Sequence, residues 1–213
     1  NFSIDQRLSG IMARLATENV HQYLPMSGYP PLLMQTARLV EKSYHRIVQP
    51  ETELLITAGA TQALFTAIQA LVKANDEVII LDPSYDSYIA PVLLCNAKPV
   101  RVNLNDDFTP NWESIGTAFS SKTKMIIINN PHNPTGKIWT ESDFMALEKL
   151  LEHYPEVLVL SDEVYEFITF EQQHISVHSR PKLHHRSVVV SSFGKSFHIT
   201  GWKVGYLVAP EPL

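Results

Sequence analysis

The stretch SSFGKSF, residues 191–197, places a lysine where it could take part in chemistry. Its segment Gly194-Lys195-Ser196 matches the last three positions of a phosphate-binding P-loop. A P-loop lysine holds a nucleotide phosphate as a point charge, whereas a lysine amine in another setting attacks a carbonyl. The first glycine of a P-loop would fall on Val189, inside a β-branched run that cannot make the tight turn. We therefore expect Lys195 to be an amine that bonds to a carbonyl group.

A lysine that binds the carbonyl of pyridoxal 5'-phosphate needs specific partners, and the sequence supplies them after predicted strands. The pyridine nitrogen must pair with an acid so that the ring withdraws electrons, and Asp162 is the candidate. Asn133 and Tyr165 can donate hydrogen bonds to the ring oxygen, and Tyr85 is a candidate stacking ring. Together with Lys195, these residues form a candidate cofactor site.

The phosphate group of that cofactor requires donors of its own. Thr61 follows Gly59 at the start of a predicted helix, where free backbone N–H groups and the helix dipole favour an anion. Ser192 and Lys203 flank Lys195 and can add contacts to the same phosphate. The sequence therefore predicts a phosphate site beside the reactive amine.

The elements that position these residues alternate between short apolar runs and helix-like segments from residue 53 onward. Continuous β-branched runs separated by helices predict an α/β fold with a mostly parallel, seven-stranded sheet flanked by helices. Ligands bind beyond the carboxyl ends of the strands in such sheets, which is where the candidates lie. Thr140 and Asp143 predict a capping box at the start of one helix. The predicted strands are 53–57, 77–81, 99–104, 124–129, 157–160, 187–191 and 204–209, and the predicted helices include 60–72, 84–97, 112–119 and 140–153.

Residues 1–52 differ from the rest because they show no strand pattern. Apolar residues at helical spacing in 7–17 and 32–48 predict two helices, joined by the connector YLPMSGYPP. We interpret 1–52 as a helical N-terminal arm with the start of the large domain, and 53–213 as the cofactor-binding large domain. The sequence starts with Asn rather than Met and stops directly after a predicted strand, so we expect segments to be missing at both ends.

Composition and charge argue against several function classes. The 213 residues carry a net charge of −5 and no basic cluster, which argues against nucleic acid and membrane surfaces as partners. No apolar run reaches the roughly 18 to 20 residues that span a bilayer. No signal peptide is evident, so we expect a cytoplasmic protein. The single Cys95 excludes an intrachain disulfide and a cysteine-based zinc site, and the histidines lack ligand spacing, so we expect no metal.

Five segments, in order and spacing, resemble the fold-type I, class I and II aminotransferases that use pyridoxal phosphate. Within that family the chain is most similar to the methionine and kynurenine (glutamine-type) aminotransferases. The resemblance covers about 150 residues, and the stretch HQYLPMSGYPPL resembles the N-terminal part of the family. The five segments are TAGATQAL (57–64), DPSYDSY (82–88), NNPHNPTGK (129–137), SDEVYEF (161–167) and SSFGKSFHITGWKVG (191–205).

The resemblance implies a role for each matching position. Lys195 would hold the cofactor as a Schiff base, the internal aldimine, and would move a proton during catalysis. Asp162 would pair with the pyridinium nitrogen, and Tyr165 would bond to the ring oxygen. The implied cofactor-binding set is Gly59, Ala60, Thr61, Tyr85, Asn133, Asp162, Tyr165, Ser192, Lys195, Lys203 and, from the neighbouring subunit, Tyr23.

Other implications concern the substrate, the partner subunit and the missing part of the fold. Asn129 and Asn133 would lie near the substrate, and the reach of Tyr23 into a second subunit implies a homodimer. Lys203 stands in GWKVG where the family commonly has arginine, so the charge is kept but the bidentate geometry is lost. The small domain of the family, with the arginine that clamps the substrate carboxylate, would follow residue 213.

The function implied is transfer of an amino group from an amino acid to a 2-oxo acid through the Schiff base on Lys195. The amino acid would be methionine, an aromatic or glutamine-like amino acid, or kynurenine. One alternative is a cysteine-S-conjugate (C–S) β-lyase with the same cofactor, because proton removal at Cα is common to both reactions. A second alternative is a cofactor-binding fragment that is catalytically incomplete.

Overall fold

A seven-stranded sheet organises the chain, and the computed structural model describes residues 3–213 of it. The strand order across the sheet is β1-β7-β6-β5-β4-β2-β3. The block from β6 to β3 is parallel, whereas β7 runs antiparallel to both of its neighbours. The predicted mostly parallel sheet of seven strands is confirmed. The strands are β1 (Leu54–Thr57), β2 (Glu77–Asp82), β3 (Lys98–Asn103), β4 (Thr123–Asn129), β5 (Leu158–Asp162), β6 (Ser187–Ser192) and β7 (Gly205–Val208).

Helices cover both faces of this sheet, as continuous apolar strands require. In β4, Met125 and Ile127 pack into one apolar cluster, whereas Ile126 and Ile128 pack into the cluster on the other face. Successive strand residues point to opposite faces, so both sets are buried and alternation is absent from the sequence. The helices are α1 (Gln6–Leu15), α2 (Pro30–Tyr44), α3 (Ala60–Leu71), α4 (Ile89–Leu94), α5 (Trp112–Ala118), α6 (Glu141–Leu151), α7 (Pro181–His184) and α8 (Phe193–Ser196).

The N-terminal region contributes α1 and α2, and only α2 joins a core. Leu33, Ala37 and Val40 of α2 pack with Tyr206 and Val208 of β7 in a third apolar cluster. No residue of α1 is buried. The two predicted helices are therefore present, whereas the division of the chain at residue 52 stays a prediction. Residues 1 and 2 of the predicted arm lie outside the described residues.

One predicted helix is too long at both ends. The segment 84–97 is α-helical only in α4, because Tyr85 is extended and Asp86–Tyr88 forms a single 3-10 turn. The helix cannot continue through Asn96, which takes a left-handed conformation with φ 55°.

The capping box at Thr140 and Asp143 is present at the start of α6.

The fifth strand extends further than its apolar pattern. Predicted over 157–160, it continues through Ser161 and Asp162, which pair in register with Val189 and Val190 of β6. Ladder hydrogen bonds use backbone groups, so a strand can continue through polar residues that a hydropathy pattern excludes. Asp162 consequently ends a strand that is buried over its whole length.

Two further observations concern membranes and metals. Within residues 3–213, no helix combines the length and hydrophobicity needed to cross a bilayer. The same residues contain no cluster of three or more His, Cys, Asp or Glu side chains arranged to hold a metal ion.

A buried arginine–histidine pair joins the residues after α2 to a 3-10 turn at Val177–Ser179. Arg46 Nη1 lies 2.9 Å from His178 Nδ1, and Arg46 Nη2 lies 3.2 Å from Glu53 Oε1. Arginine has only donors, so His178 Nδ1 accepts and the ring is neutral. Burial lowers the pKa of His178 to about 3, and the Arg46 charge acts in the same direction against the opposing effect of Glu163.

We expect acid to destabilise the fold through His178. Its pKa of about 3 lies below the ordinary 6.5, so the unfolded chain binds more protons between these values. The free energy of unfolding therefore falls as the pH drops through this window, by about 1.4 kcal/mol per pH unit for one proton. His178→Gln keeps an acceptor but does not titrate, so its unfolding free energy in urea should depend less steeply on pH. The exposed His153→Gln is the control and should keep the wild-type slope; equal slopes for wild type and His178→Gln would contradict the assignment.

Candidate active site

A cavity of about 800 Å³ opens at the carboxyl ends of β4, β5 and β6. These strands end in Asn129, Asp162 and Ser192, and all three residues line the cavity. Every candidate named from the sequence lines it except Tyr23. The candidates brought together are Gly59, Ala60, Thr61, Tyr85, Asn129, Asn133, Asp162, Tyr165, Ser192, Lys195 and Lys203.

One end of the cavity is formed by the start of α3. Gly59 is the N-cap residue, with φ 80°, and has no side chain to accept from the first N–H groups of the helix. Lys203 takes a left-handed conformation with φ 55°, and its Cα would lie 3.7 Å from a Cβ placed on Gly59. Free helix N–H groups, the Lys203 charge and the Ser192 hydroxyl give this end a positive potential suited to an anion.

Gly205, at the start of β7, makes that arrangement possible. A Cβ on Gly205 would lie 2.7 Å from the Ala60 nitrogen and 2.8 Å from the Gly59 carbonyl carbon. Those atoms are backbone and cannot move aside, so only glycine fits this crossing. Gly205 was not among the residues given a role from the sequence, because its importance lies in a contact between distant segments.

A buried acid also lines the cavity. Asp162 is 3% exposed, and its Oδ2 accepts a 2.7 Å hydrogen bond from the hydroxyl of Tyr88. Its Oδ1 accepts a 3.3 Å hydrogen bond from the backbone N–H of Val164. Burial raises the pKa of Asp162 to about 6, while these two hydrogen bonds and the charge of Lys195 oppose the rise. Within the described residues no basic side chain forms an ion pair with Asp162, so its carboxylate suits a cationic ligand.

Lys195 belongs to α8, the single helical turn that follows β6 directly. Its Nζ lies 5.5 Å from the centre of the Tyr165 ring. The amine therefore lies in the same cavity as the anion-binding end and the buried acid. A lysine amine in such a cavity can act as a nucleophile toward a carbonyl group.

The two asparagines, Asn129 and Asn133, both lie in the cavity wall. Asn129 Oδ1 accepts from the backbone N–H of Asn133 at 2.6 Å, and Asn129 Nδ2 donates to the carbonyl of Asp162 at 2.9 Å. Both ends of the Asn129 amide are thus used inside the protein, which fits a role in positioning the loop and the strand end. The predicted contact of Asn129 with substrate stays a prediction.

The two remaining aromatic candidates differ in location. Tyr85 lines the cavity, and its ring meets the Tyr88 ring edge-on at 5.7 Å. Tyr23 is fully exposed in the single chain and lies outside the cavity lining. Tyr23 can therefore contribute to a site only in another subunit or after a rearrangement.

Two buried acids next to Asp162 were not foreseen as a group. Glu163 accepts from His174 Nε2 and from the Val177 N–H, both at 2.9 Å. Glu166 accepts from the hydroxyls of Tyr44 and Ser191. The motif SDEVYEF contains all three acids, but spacing alone does not say which of them faces the cavity.

The sequence profile described as "Aminotransferase class I and II" matches residues 5–213. The chain belongs to this family. Methionine aminotransferase of Escherichia coli (strain K12) is 43% identical over 204 residues, which are 95% of this chain and 53% of that protein. Kynurenine–oxoglutarate transaminase 3 of Bos taurus is 37% identical over 210 residues, which are 93% of this chain and 46% of that protein.

Solved aminotransferase structures share the fold. A crystal structure from Escherichia coli described as identifying a methionine aminotransferase function has a TM-score of 0.97 at 42% identity, covering 100% of this chain and 56% of that chain. An aromatic aminotransferase from Pyrococcus horikoshii OT3 has a TM-score of 0.94 at 31% identity, covering 99% of this chain and 57% of that chain. The chain therefore spans about half the length of the curated relatives it matches. The family resemblance inferred from the five motifs is confirmed.

Class I and II aminotransferases use pyridoxal phosphate, and the cavity fits that cofactor. The glycine crossing at Gly205 leaves space for an anion at the start of α3. The buried Asp162 carboxylate, which forms no ion pair with a basic side chain of residues 3–213, suits the protonated pyridine nitrogen. The cavity thus combines an anion site, an amine and an acid.

We expect Gly205→Ala to weaken the binding of pyridoxal phosphate at least about tenfold, because the new methyl group must displace the start of α3. The same overpacking should lower stability by about 1–3 kcal/mol. Absorbance titration with pyridoxal phosphate and thermal unfolding measure the two effects. Gly201→Ala is the matched control, since a Cβ there meets nothing within 4 Å. Wild-type affinity in Gly205→Ala would show that the close crossing is not needed.

Proposed function

We propose that the protein is a pyridoxal-phosphate-dependent aminotransferase that moves an amino group from an amino acid to a 2-oxo acid. The observation that carries the proposal is that Lys195, the anion-binding start of α3 and the buried acid Asp162 line one cavity. Membership of the aminotransferase family supports it independently.

The residues that line the cavity supply the binding groups. Pyridoxal phosphate, when bound, supplies an electrophilic carbonyl and an electron-withdrawing ring. The N–H groups at the start of α3, with Thr61, Ser192 and Lys203, would hold the phosphate. Tyr165 and Asn133 would donate to the ring oxygen. The single charge of Lys203 gives this phosphate site a contact of lower directionality than an arginine would give.

The same cavity supplies the groups that act in the reaction. The amine of Lys195 would hold the cofactor, and once free it would move the proton between the substrate Cα and the cofactor. Asp162 would keep a negative charge beside the ring nitrogen, and Tyr85 would cover one face of the ring. Burial of Asp162 strengthens its interaction with a cation because the local dielectric is low.

The amino acid substrate is proposed from the relatives. They are named as methionine aminotransferase and as kynurenine–oxoglutarate transaminases, so methionine, kynurenine and related aromatic or glutamine-like amino acids are the substrates to test. The β-lyase alternative is not favoured, because these names describe amino transfer. The alternative of an incomplete fragment is tested by comparing this chain with a longer one.

We expect borohydride reduction in the presence of pyridoxal phosphate to attach a pyridoxyl group to Lys195, because its amine lies in the cavity beside Tyr165, whereas Lys203 packs against Gly59 at the anion-binding start of α3. Peptide mapping by mass spectrometry locates the adduct. Lys195→Ala should lose the label, whereas Lys137→Ala, which removes a lysine paired with the exposed Asp107, should retain it. A folded protein without label at Lys195 would oppose the proposal.

Transamination is expected where the cofactor binds. With methionine or kynurenine as donor, the new amino acid formed from the 2-oxo acid should be detectable by chromatography. Pyruvate released from a cysteine S-conjugate without a 2-oxo acid acceptor would instead favour the β-lyase reaction.

The proposed assembly is a homodimer in which Tyr23 of each subunit completes the phosphate site of its partner, and full exposure of Tyr23 in the single chain is compatible with that role. The expected result is complementation. A dimer of one Tyr23→Ala and one Lys195→Ala subunit contains one site with both side chains intact. Mixed subunits should therefore bind pyridoxal phosphate more tightly than either variant alone. No gain on mixing, with heterodimers demonstrated by native mass spectrometry, would reject the shared site.

A cytoplasmic location stays a prediction.

A further inference from the structure

Tyr88 reaches Asp162, the acid that lines the cavity, from the turn that follows β2. It ends the 3-10 turn after β2, and its hydroxyl donates to Asp162 Oδ2 at 2.7 Å across the intervening β4. The side chain is 2% exposed and packs in the apolar cluster beneath α3 and α4. A buried phenol thus meets a buried carboxylate that lines the cavity.

The chemistry of the pair defines the direction of the hydrogen bond. Burial, reinforced by the charge of Asp162, raises the pKa of Tyr88 well above its ordinary value, so the phenol keeps its proton. An ionised carboxylate has only acceptors, so the phenol donates and Asp162 accepts. This donor stabilises the charged form of an acid whose burial favours the neutral form.

The two donors on Asp162 also fix its orientation. Tyr88 occupies Oδ2, and the Val164 N–H occupies Oδ1. A carboxylate offers about four lone-pair positions, so each oxygen retains acceptor capacity. Donors from two separate segments hold the plane of the carboxyl group, and the remaining capacity is available to a ligand in the cavity.

We propose that Tyr88 is a positioning residue for the cofactor, whose hydroxyl keeps the Asp162 carboxylate ionised and oriented for the pyridinium nitrogen. The proposal rests on the proposed function, since it assumes that Asp162 meets that nitrogen. Tyr88 itself acts through Asp162. The other groups that bear on the charge of Asp162 are Glu163, which opposes it, and Lys195, which favours it.

The test uses pyridoxine 5'-phosphate, which has the ring nitrogen and the phosphate but no aldehyde, so its binding does not depend on the Lys195 amine. In Tyr88→Phe the loss of the donor should weaken this binding about tenfold near pH 6, with less loss at pH 8 because higher pH favours the ionised carboxylate. Calorimetric titrations from pH 6 to 8 give the profile. Inorganic phosphate, which does not reach the acid, should bind the variant as it binds the wild type.

Tyr44→Phe is the matched control, because it removes the same hydroxyl from another tyrosine–carboxylate pair, in which half-buried Tyr44 donates to buried Glu166. It should keep the wild-type pH profile for pyridoxine 5'-phosphate. Equal pH profiles for Tyr88→Phe and wild type would overturn the proposal. Parallel losses in Tyr88→Phe and Tyr44→Phe would also overturn it, since they indicate a general structural effect.

A double-mutant cycle with Asp162→Asn separates positioning from packing. If Tyr88 acts through the carboxylate, Tyr88→Phe should have no further effect on affinity in the Asp162→Asn background. A further loss there would overturn the proposal. This comparison also serves if Tyr88→Phe alone does not fold, because changing both partners leaves no buried carboxylate deprived of its donor.

The same measurements separate this proposal from the proposed function. Wild-type protein that binds pyridoxine 5'-phosphate no better than inorganic phosphate, and that takes no label at Lys195, refutes the function. Wild-type protein that binds and is labelled, with an unaltered profile in Tyr88→Phe, refutes only the role of Tyr88.

Discussion

Both faces of the central sheet are covered by helices, so polar strand residues can meet a ligand only where strands end. In β4, β5 and β6 the last residues are Asn129, Asp162 and Ser192, and Asn129 pairs in register with Asp162. The parallel direction of these strands places all three at one edge. The rest of the site follows from that edge: the loop after β4, the turn that carries Lys195 after β6 and the start of α3 beside it.

This edge also contains three buried acids with different partners. Glu163 is held by His174, whose charge and hydrogen bond lower the pKa of that carboxyl against the opposing effect of burial. Burial raises the pKa of Glu166, which accepts from hydroxyls on α2 and β6. Glu163 and Glu166 thus accept hydrogen bonds from side chains of other segments of the chain. Asp162, in contrast, keeps acceptor capacity on the side that faces the cavity. A buried charge without a partner is costly in free energy. The partners of each carboxylate therefore determine whether it is used inside the protein or is available to a ligand.

Much of the fold could be predicted because its signals are local. Continuous apolar runs marked all seven strands, and Thr140 with Asp143 marked the start of α6. The helix predicted over 84–97 was too long because an extended Tyr85 and a left-handed Asn96 override its apolar spacing. The residues at the strand ends could also be identified from the sequence. Most of the candidate residues meet in one cavity because they follow those strand ends.

The features that escaped prediction are contacts between distant segments. Tyr88 stands inside a recognised motif, but aromatic residues after a strand usually pack in a core, and its reach across β4 to Asp162 has no sequence signature. Gly205 resembles any glycine at the start of a strand until the backbone of residues 59 and 60 is found beneath it. The link between Tyr44 and Glu166 likewise joins segments that no short pattern relates.

The antiparallel insertion of β7 between β1 and β6 has a consequence for how the protein is made. Gly59 and Gly205 meet in space although about 150 residues separate them along the chain, and contacts of that kind form slowly during folding. A chain emerging from the ribosome has β1 and the start of α3 long before β7 exists to lie between β1 and β6. The anion end of the cavity is therefore completed only after β7 has been made. A ligand that binds there favours the finished sheet over its open precursors by mass action, which links cofactor supply to the yield of folded protein.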